Sequence, residues 1–315
     1  MRYLLLLLLT VQAVPVWSAC DAGDARAMHW LDRMSRSLRE VSYQGVFTYE
    51  HGGSLQTLRI SHSVEGGVES EYLTRLTGTG GSVLRTGHPL DCIHPGNRLL
   101  RIGAGFDNDG DDCGLAAHYQ LKLGPRDLIA GRYAQILTVL PRDMYRYGYQ
   151  MALDTETGLL LKSQTMAQDG KILERFQFAA LDIGSAQVPG TQVDVLHYAQ
   201  HSEHHPVVPP PEAASTEAWR VRWVPEGFTL TEGESHSRLD KTYTDGLAVF
   251  SVFLEPMQQQ IQPGEGRARQ GGTTAYTRGM QLGGKPILVT VVGEVPINTA
   301  RMVADSLIWT GADAD

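Results

Sequence analysis

The sequence predicts an α+β protein, mainly antiparallel β, with two domains. A large curved, half-open barrel sheet with helices comes first, and a smaller α+β C-terminal domain follows. Three observations carry this. From Gln44 onward the apolar residues fall in short runs separated by glycine-rich turns. One stretch with helical spacing, Asp24–Glu40, precedes them. A proline-rich break from His197 to Glu217 then divides the chain. Composition agrees with all three. At roughly 150 residues per domain, 315 residues suit two domains. A hydrophobic content of 42% supplies a packed core and excludes a mainly disordered chain.

The first element is a leader. Met1-Arg2 is a short basic start, Leu4–Leu9 are consecutive leucines, and Ser18-Ala19-Cys20 are small. This is the layout of a secretory signal peptide. The apolar run is short of the roughly 20 residues that a spanning helix needs. Trp17-Ser18-Ala19-Cys20 partly matches a bacterial lipidation motif, but Trp17 stands where an aliphatic residue is normal. That argues against a lipid on Cys20 and for ordinary cleavage after Cys20 or Ala22. The mature chain is expected to be exported. It stays acidic: the formal charge is −8, and removing residues 1–20 takes away Arg2 as the one charged residue.

Asp24–Glu40 reads as a helix because Met28, Leu31, Met34 and Leu38 recur at intervals of three and four. Strands are expected at Gln44–Glu50, Leu55–Ser63, Val68–Leu76, Ser82–Thr86 and Asn97–Ile102. The separators His51-Gly52-Gly53, Glu65-Gly66-Gly67 and Gly78–Gly81 carry turn chemistry. Leu115–Leu121 and Pro125–Ile129 read as short helices. Strands resume at Arg132–Leu140, Tyr145–Leu153, Leu159–Met166 and Ile172–Leu181, joined by Asp154–Gly158 and Gln168-Asp169-Gly170. Spacing this short implies hairpins rather than βαβ units.

The expected domain limits are 1–22 for the leader, 23–198 for the large domain, 199–217 for a Pro-rich linker, 218–310 for the small domain and 311–315 for a tail. Pro209-Pro210-Pro211 favours an extended linker. In the small domain, strands are expected at Trp219–Val224, Phe228–Ser235, Lys241–Leu254, Thr273–Leu282 and Pro286–Val292. A closing helix starts near Pro296, which suits a first helical turn. Its inward residues are Ala300, Val303, Ala304 and Leu307.

Without Cys20 two cysteines remain, Cys92 and Cys113. In an oxidising compartment such a pair reads as a disulfide. It would close a loop of about 20 residues, worth roughly 3 kcal/mol in the chain-entropy model. No C-x-x-C accompanies it. Asp107–Asp112 resembles a calcium loop superficially. Asp112 stands where an EF-hand requires glycine and His118 where it requires a bidentate glutamate, so it reads as a solvated acidic loop. His201, His204 and His205 lie in the linker without fixed geometry. No metal site or cofactor is expected.

Neither a G-x-S-x-G elbow, nor H-E-x-x-H, nor a phosphate-binding G-x-x-x-x-G-K-[ST] occurs, so no enzymatic activity is expected. The acidic balance argues against nucleic acid as a partner. Two groups of residues remain as site candidates. Phe47, Tyr49, Ile60, Tyr72, Ile136, Tyr149, Met151, Phe176 and Phe178 should mostly share the concave face of the large sheet. They are either plain core or the lining of a lipid cavity. In Trp219–Trp223, Arg220 and Arg222 face away from the aromatic side; they are either solvated arginines of a half-buried strand or two guanidiniums facing an acidic partner or a phosphate. Arg220, Arg222, Trp223, Phe228 and Phe250 are the partner-binding candidates.

At this point the order of motifs matches a known family. In the first unit the carriers are Gly131-Arg132-Tyr133, Ile136–Val139, Pro141-Arg142-Asp143 with Tyr145-Arg146-Tyr147, Asp154–Leu160, Gln168-Asp169-Gly170 and Leu173–Phe176. In the second they are Trp223–Phe228, Tyr243–Leu247 with Phe250-Ser251-Val252, Val292–Pro296 and Thr299-Ala300. Together they resemble the RseB/MucB family of periplasmic sigma-factor regulators over nearly all of the mature chain. The first domain is also similar to the LolA/LolB lipoprotein-carrier fold.

The resemblance implies a non-enzymatic regulator. Such proteins bind the periplasmic region of a membrane anti-sigma factor of the RseA or MucA type and shield it from regulated proteolysis. They release it when lipid or lipopolysaccharide accumulates. The large domain is implied to hold the lipid and the small domain to contribute strongly to holding the partner. The Cys92/Cys113 pair and the acidic loop lie outside the family pattern. The alternative reading is a periplasmic carrier of lipid or lipoprotein, for which a second domain is unnecessary. The sequence leaves a homodimer open.

Overall fold

The computed structural model describes residues 22–78, 81–86, 114–184, 186, 219–231, 239–257 and 264–310. The leader, the pair Cys92/Cys113, the acidic loop, the expected strand Asn97–Ile102, the linker with its histidines, and the tail lie outside these residues. No described helix is long and apolar enough to cross a membrane.

Helix α1 (Ala22–Glu40) buries Ala27, Leu31, Met34 and Leu38, one stripe at helical spacing. Its other contacts are polar and specific. Arg33 donates to the Glu156 carbonyl at 2.7 Å, and the Ser37 hydroxyl bonds the Thr157 carbonyl. Both acceptors lie in the Asp154–Gly158 turn. A Cβ at Gly158 would lie 3.0 Å from Arg33 Cβ, and its φ is +87°, so glycine fits both the space and the conformation. Arg132 secures the same turn through Asp154 and Glu156.

The large sheet comprises β1 (Tyr43–His51), β2 (Ser54–Glu65), β3 (Val68–Arg75), β4 (Ser82–Thr86), β5 (Tyr119–Ile129), β6 (Arg132–Pro141), β7 (Gly148–Asp154), β8 (Leu160–Met166) and β9 (Ile172–Ile183). Its order is β4-β3-β2-β1-β9-β8-β7-β6-β5 and all pairs are antiparallel. Two meanders meet where the first strand pairs with the last. Only α2 (Leu115–His118) confirms part of the two short helices expected near residue 120. Pro125–Ile129 is strand, not helix. β5 is an edge strand, and its register shifts between Leu123 and Arg126. A proline without an N–H is tolerated at such a bulge on an open edge.

The small domain contains β10 (Trp219–Val221), β11 (Thr229–Leu230), β12 (Asp240–Thr244), β13 (Val249–Pro256), β14 (Glu265–Gln270), β15 (Thr273–Leu282), β16 (Lys285–Gly293), α3 (Ile297–Asp305) and β17 (Leu307–Trp309). Six strands form a sheet in the order β11-β12-β13-β16-β15-β14, and β10 pairs with β17. Helix α3 buries Ala300, Val303 and Ala304 as expected, while Leu307 is buried from β17 instead. The expected single strand Lys241–Leu254 is two strands. Asp245 breaks it by bonding the backbone N–H groups of Leu247 and Ala248 at 3.0 and 2.8 Å, and Gly246 takes φ +94°. β14 was not expected from the sequence. All six of its residues are exposed, so no apolar alternation marks it.

Candidate functional site between the two domains

The cavity candidates divide by strand register. Phe47 pairs with Leu58 and Phe178, Tyr49 with Phe176, and Gly45 with Ile60, placing Phe47, Tyr49, Ile60, Phe176 and Phe178 on one face. Met151 and Tyr149 join them through Ser163–Phe176 and Thr165–Glu174 pairing. These seven residues lie in, or pack against, one apolar cluster with the stripe of α1. The rings interlock: Phe176 and Phe178 are edge-on at 5.1 Å, and Phe47 meets Phe176 at 4.9 Å. Tyr72 and Ile136 depart from the expectation. Tyr72 pairs with Ser61 and Ile136 with Ala152, so both register to the opposite face, yet Ile136 still packs against the same apolar cluster. The hydroxyls of Ser82 and Thr74 bond Tyr72 and lower its pKa.

One member of that cluster comes from the other domain. Leu247, at the turn between β12 and β13, is 5% exposed and belongs to the large domain's apolar core. Around it the two domains meet through buried polar groups. Arg146, in the loop between β6 and β7, has a side chain that is 0% exposed, as is that of Asp245. Its Nε donates to Asp245 Oδ2 at 2.7 Å. Its two Nη groups bond Asp143 and the Glu226 carbonyl. The guanidinium also lies over the Phe228 ring, 4.9 Å from its centre.

Asp245 therefore has two tasks. Oδ1 accepts the N–H groups that shape its own turn. Oδ2 accepts Arg146 and, at 2.9 Å, the Tyr119 hydroxyl from β5. Tyr119 is itself fully buried in the large-domain core. Its pKa is raised well above the ordinary tyrosine value, first by burial and then by the adjacent Asp245 charge.

Further contacts surround this centre. Glu174 Oε2 accepts the Gly272 N–H at 3.0 Å from the turn between β14 and β15. Thr299 donates to the Tyr145 carbonyl at 3.1 Å, and Tyr145 meets Trp223 edge-on at 5.2 Å. Gly227 takes φ +84°, where glycine is favoured, and a Cβ there would fall 2.2 Å from His118 Nε2, so glycine lets the His118 ring sit against this turn. The constellation has no nucleophile aligned with a base. Chemically it is a desolvated clamp that fixes one domain on the other.

The partner-binding candidates are redistributed accordingly. Arg220 and Arg222 are exposed, as their strand position predicted. Phe228 and Phe250 are a correction, because both are buried: they meet at 5.1 Å, and Phe250 also stacks on Tyr243. What the sequence did not show is that Arg146 covers the Phe228 ring and that both phenylalanines belong to the small-domain core. Trp223 is half-buried at the domain junction rather than open to an outside partner. Sequence reasoning did not single out Arg146, Tyr119, Asp245 or Leu247 as site residues. A signal existed: Pro141–Tyr147, Trp223–Phe228 and Tyr243–Leu247 are separate motifs of two domains, and the fold brings all three to Arg146.

Comparison with known proteins agrees with this two-domain arrangement. Residues 26–197 match the MucB/RseB N-terminal domain and residues 213–308 the MucB/RseB C-terminal domain. The chain is 40% identical to the sigma factor AlgU regulatory protein MucB of Pseudomonas aeruginosa, over 96% of each chain. It is 26% identical to the sigma-E factor regulatory protein RseB of Haemophilus influenzae, over 92% of this chain and 93% of that one. A crystal structure of MucB in complex with MucA(peri) superposes with a TM-score of 0.68 at 36% identity, covering 91% of this chain and all of that one. The chain belongs to the MucB/RseB family.

Proposed function

We propose that this chain is a periplasmic regulator of a sigma factor. It binds the periplasmic region of a membrane anti-sigma factor of the MucA or RseA type, shields it from regulated proteolysis, and releases it when lipid or lipopolysaccharide binds. The observation that supports this most is the likeness, over nearly the whole chain, to a MucB whose crystal structure holds MucA(peri). The apolar face gathered by Phe47, Tyr149, Met151, Phe176 and Phe178 supports the large domain as the lipid side.

Release follows from linkage. Lipid shifts the equilibrium only by its differential affinity for the releasing conformation. Moving from mostly bound to mostly free takes roughly 10⁴-fold preference, about 5.5 kcal/mol. One buried acyl chain supplies that much, at about 0.8 kcal/mol per CH₂. The test is calorimetric titration of the mature protein with the periplasmic anti-sigma segment, with and without lipopolysaccharide. Unchanged affinity at saturating lipopolysaccharide refutes lipid release. Absence of binding without lipid refutes the regulator reading itself.

A further inference from the structure

The lipid-release reading leaves open how an apolar ligand inside one domain alters the other, and the Leu247 turn offers a physical answer. Leu247 is a small-domain residue seated in the large domain's core, in the same cluster as Phe47, Tyr149, Met151 and Phe176. It enters on a turn that is already shaped, because Asp245 Oδ1 holds the Leu247 and Ala248 N–H groups. The same carboxylate fastens the turn through Tyr119 and Arg146. Tyr119 belongs to the core, and Arg146 reaches the Glu226 carbonyl and the Phe228 ring of the small domain. A ligand that displaces Leu247 must move Asp245 with it, since they are two residues apart on a bonded turn. That movement strips Arg146 of its buried carboxylate partner and opens the interface at its centre.

We propose that the Asp245–Leu247 turn is an internal stopper that competes with an acyl chain for the end of the large-domain core beside Tyr119. The ligand class is an extended apolar chain, and its occupancy and the docked arrangement of the two domains exclude each other. This inference rests on the lipid-release reading and adds the route by which release happens.

The test uses the mature full-length chain and cis-parinaric acid, a fluorescent acyl chain, followed by lipopolysaccharide. Leu247→Ser leaves the Asp245 bonds intact but removes the apolar occupant. It should bind the probe about tenfold more tightly than the unaltered protein. Asp245→Asn, which weakens the fastening, should shift affinity in the same direction and serves if Leu247→Ser fails to fold. A docked form is trapped by pairing His51→Cys with Gly271→Cys: a Cβ at Gly271 would lie 3.1 Å from His51 Cβ, just inside the roughly 3.5–4.5 Å of a disulfide, so a small opening of the Gly271 turn admits the bridge. Oxidised, this variant should lose at least tenfold in probe affinity and regain it on reduction, with the unaltered protein treated identically. If the trapped form binds as tightly as the free form, or if Leu247→Ser and Asp245→Asn both leave affinity unchanged, the stopper is refuted and lipid release still stands. If no form binds the probe or lipopolysaccharide, lipid release fails and the stopper with it.

Discussion

Replacing Asp245 by alanine is the sharpest structural perturbation available. The change removes the acceptor for Arg146 Nε and the Tyr119 hydroxyl, and also the cap on the Leu247 and Ala248 N–H groups. Arg146 keeps Asp143 and the Glu226 carbonyl. Its side chain is fully buried, so water cannot replace the lost carboxylate. Breaking a buried pair by deleting one partner costs about 3–5 kcal/mol, far above the 1 kcal/mol or less of a surface pair. Urea unfolding followed by tryptophan fluorescence measures the loss. The small domain carries Trp219, Trp223 and Trp309, and Trp30 reports on α1. A double replacement, Arg146→Met with Asp245→Leu, should recover only part of the loss: it leaves no buried guanidinium without its partner, but the Tyr119 hydroxyl and the Leu247 and Ala248 N–H groups still lack their acceptor. A loss below about 1 kcal/mol for Asp245→Ala would show that the pair is solvated, and the reasoning about a desolvated clamp would be wrong.

Three other outcomes follow from the same geometry. Gly227→Ala should loosen the domain junction by about 2 kcal/mol or more, because φ is +84° and the new Cβ meets His118; an unfolding midpoint equal to that of the unaltered chain contradicts this. Tyr119 keeps its proton in the fold, since its pKa is raised by burial and by Asp245. Its stabilising contribution is complete below the ordinary tyrosine pKa near 10 and fades above it, where the unfolded chain ionises first, and is lost as pH passes the folded value. The alkaline slope of stability should therefore be shallower in Tyr119→Phe by up to about 1.4 kcal/mol per pH unit, and identical slopes refute the assignment. Arg220→Glu with Arg222→Glu should change stability by less than about 0.5 kcal/mol. The same pair should weaken binding of the anti-sigma segment and reduce its salt dependence; unaltered affinity removes these arginines from the contact.

Much of the fold was legible in the sequence because its signals are local. Gly66-Gly67 and Gln168-Asp169-Gly170 mark turns through conformations that depend on the residues themselves. The stripe Leu31, Met34 and Leu38 fixes a helix face for the same reason. The failures are equally physical. Pro125 reads as a breaker, yet an edge strand needs no hydrogen bond from that position. Glu265–Gln270 has no apolar alternation and is a strand because β15 supplies its backbone partners. The Asp245-Gly246 pair was a turn signal hidden within apolar neighbours, and reading across it concealed the residue that enters the other domain. Alternation assigns Phe250 to a face but not what covers that face. Tyr72 and Ile136 show the same limit, since cross-strand register decides their side. Burial of Arg146 depends on three segments that lie far apart in sequence, so no local pattern could announce it.

The central claim is that this chain holds an anti-sigma factor's periplasmic segment. Its most direct measurement is the affinity of the mature protein for that segment from the same organism, taken by calorimetry with purified components. The account predicts saturable binding that lipopolysaccharide abolishes. Heat signals indistinguishable from buffer dilution, with both partners folded and pure, would contradict it.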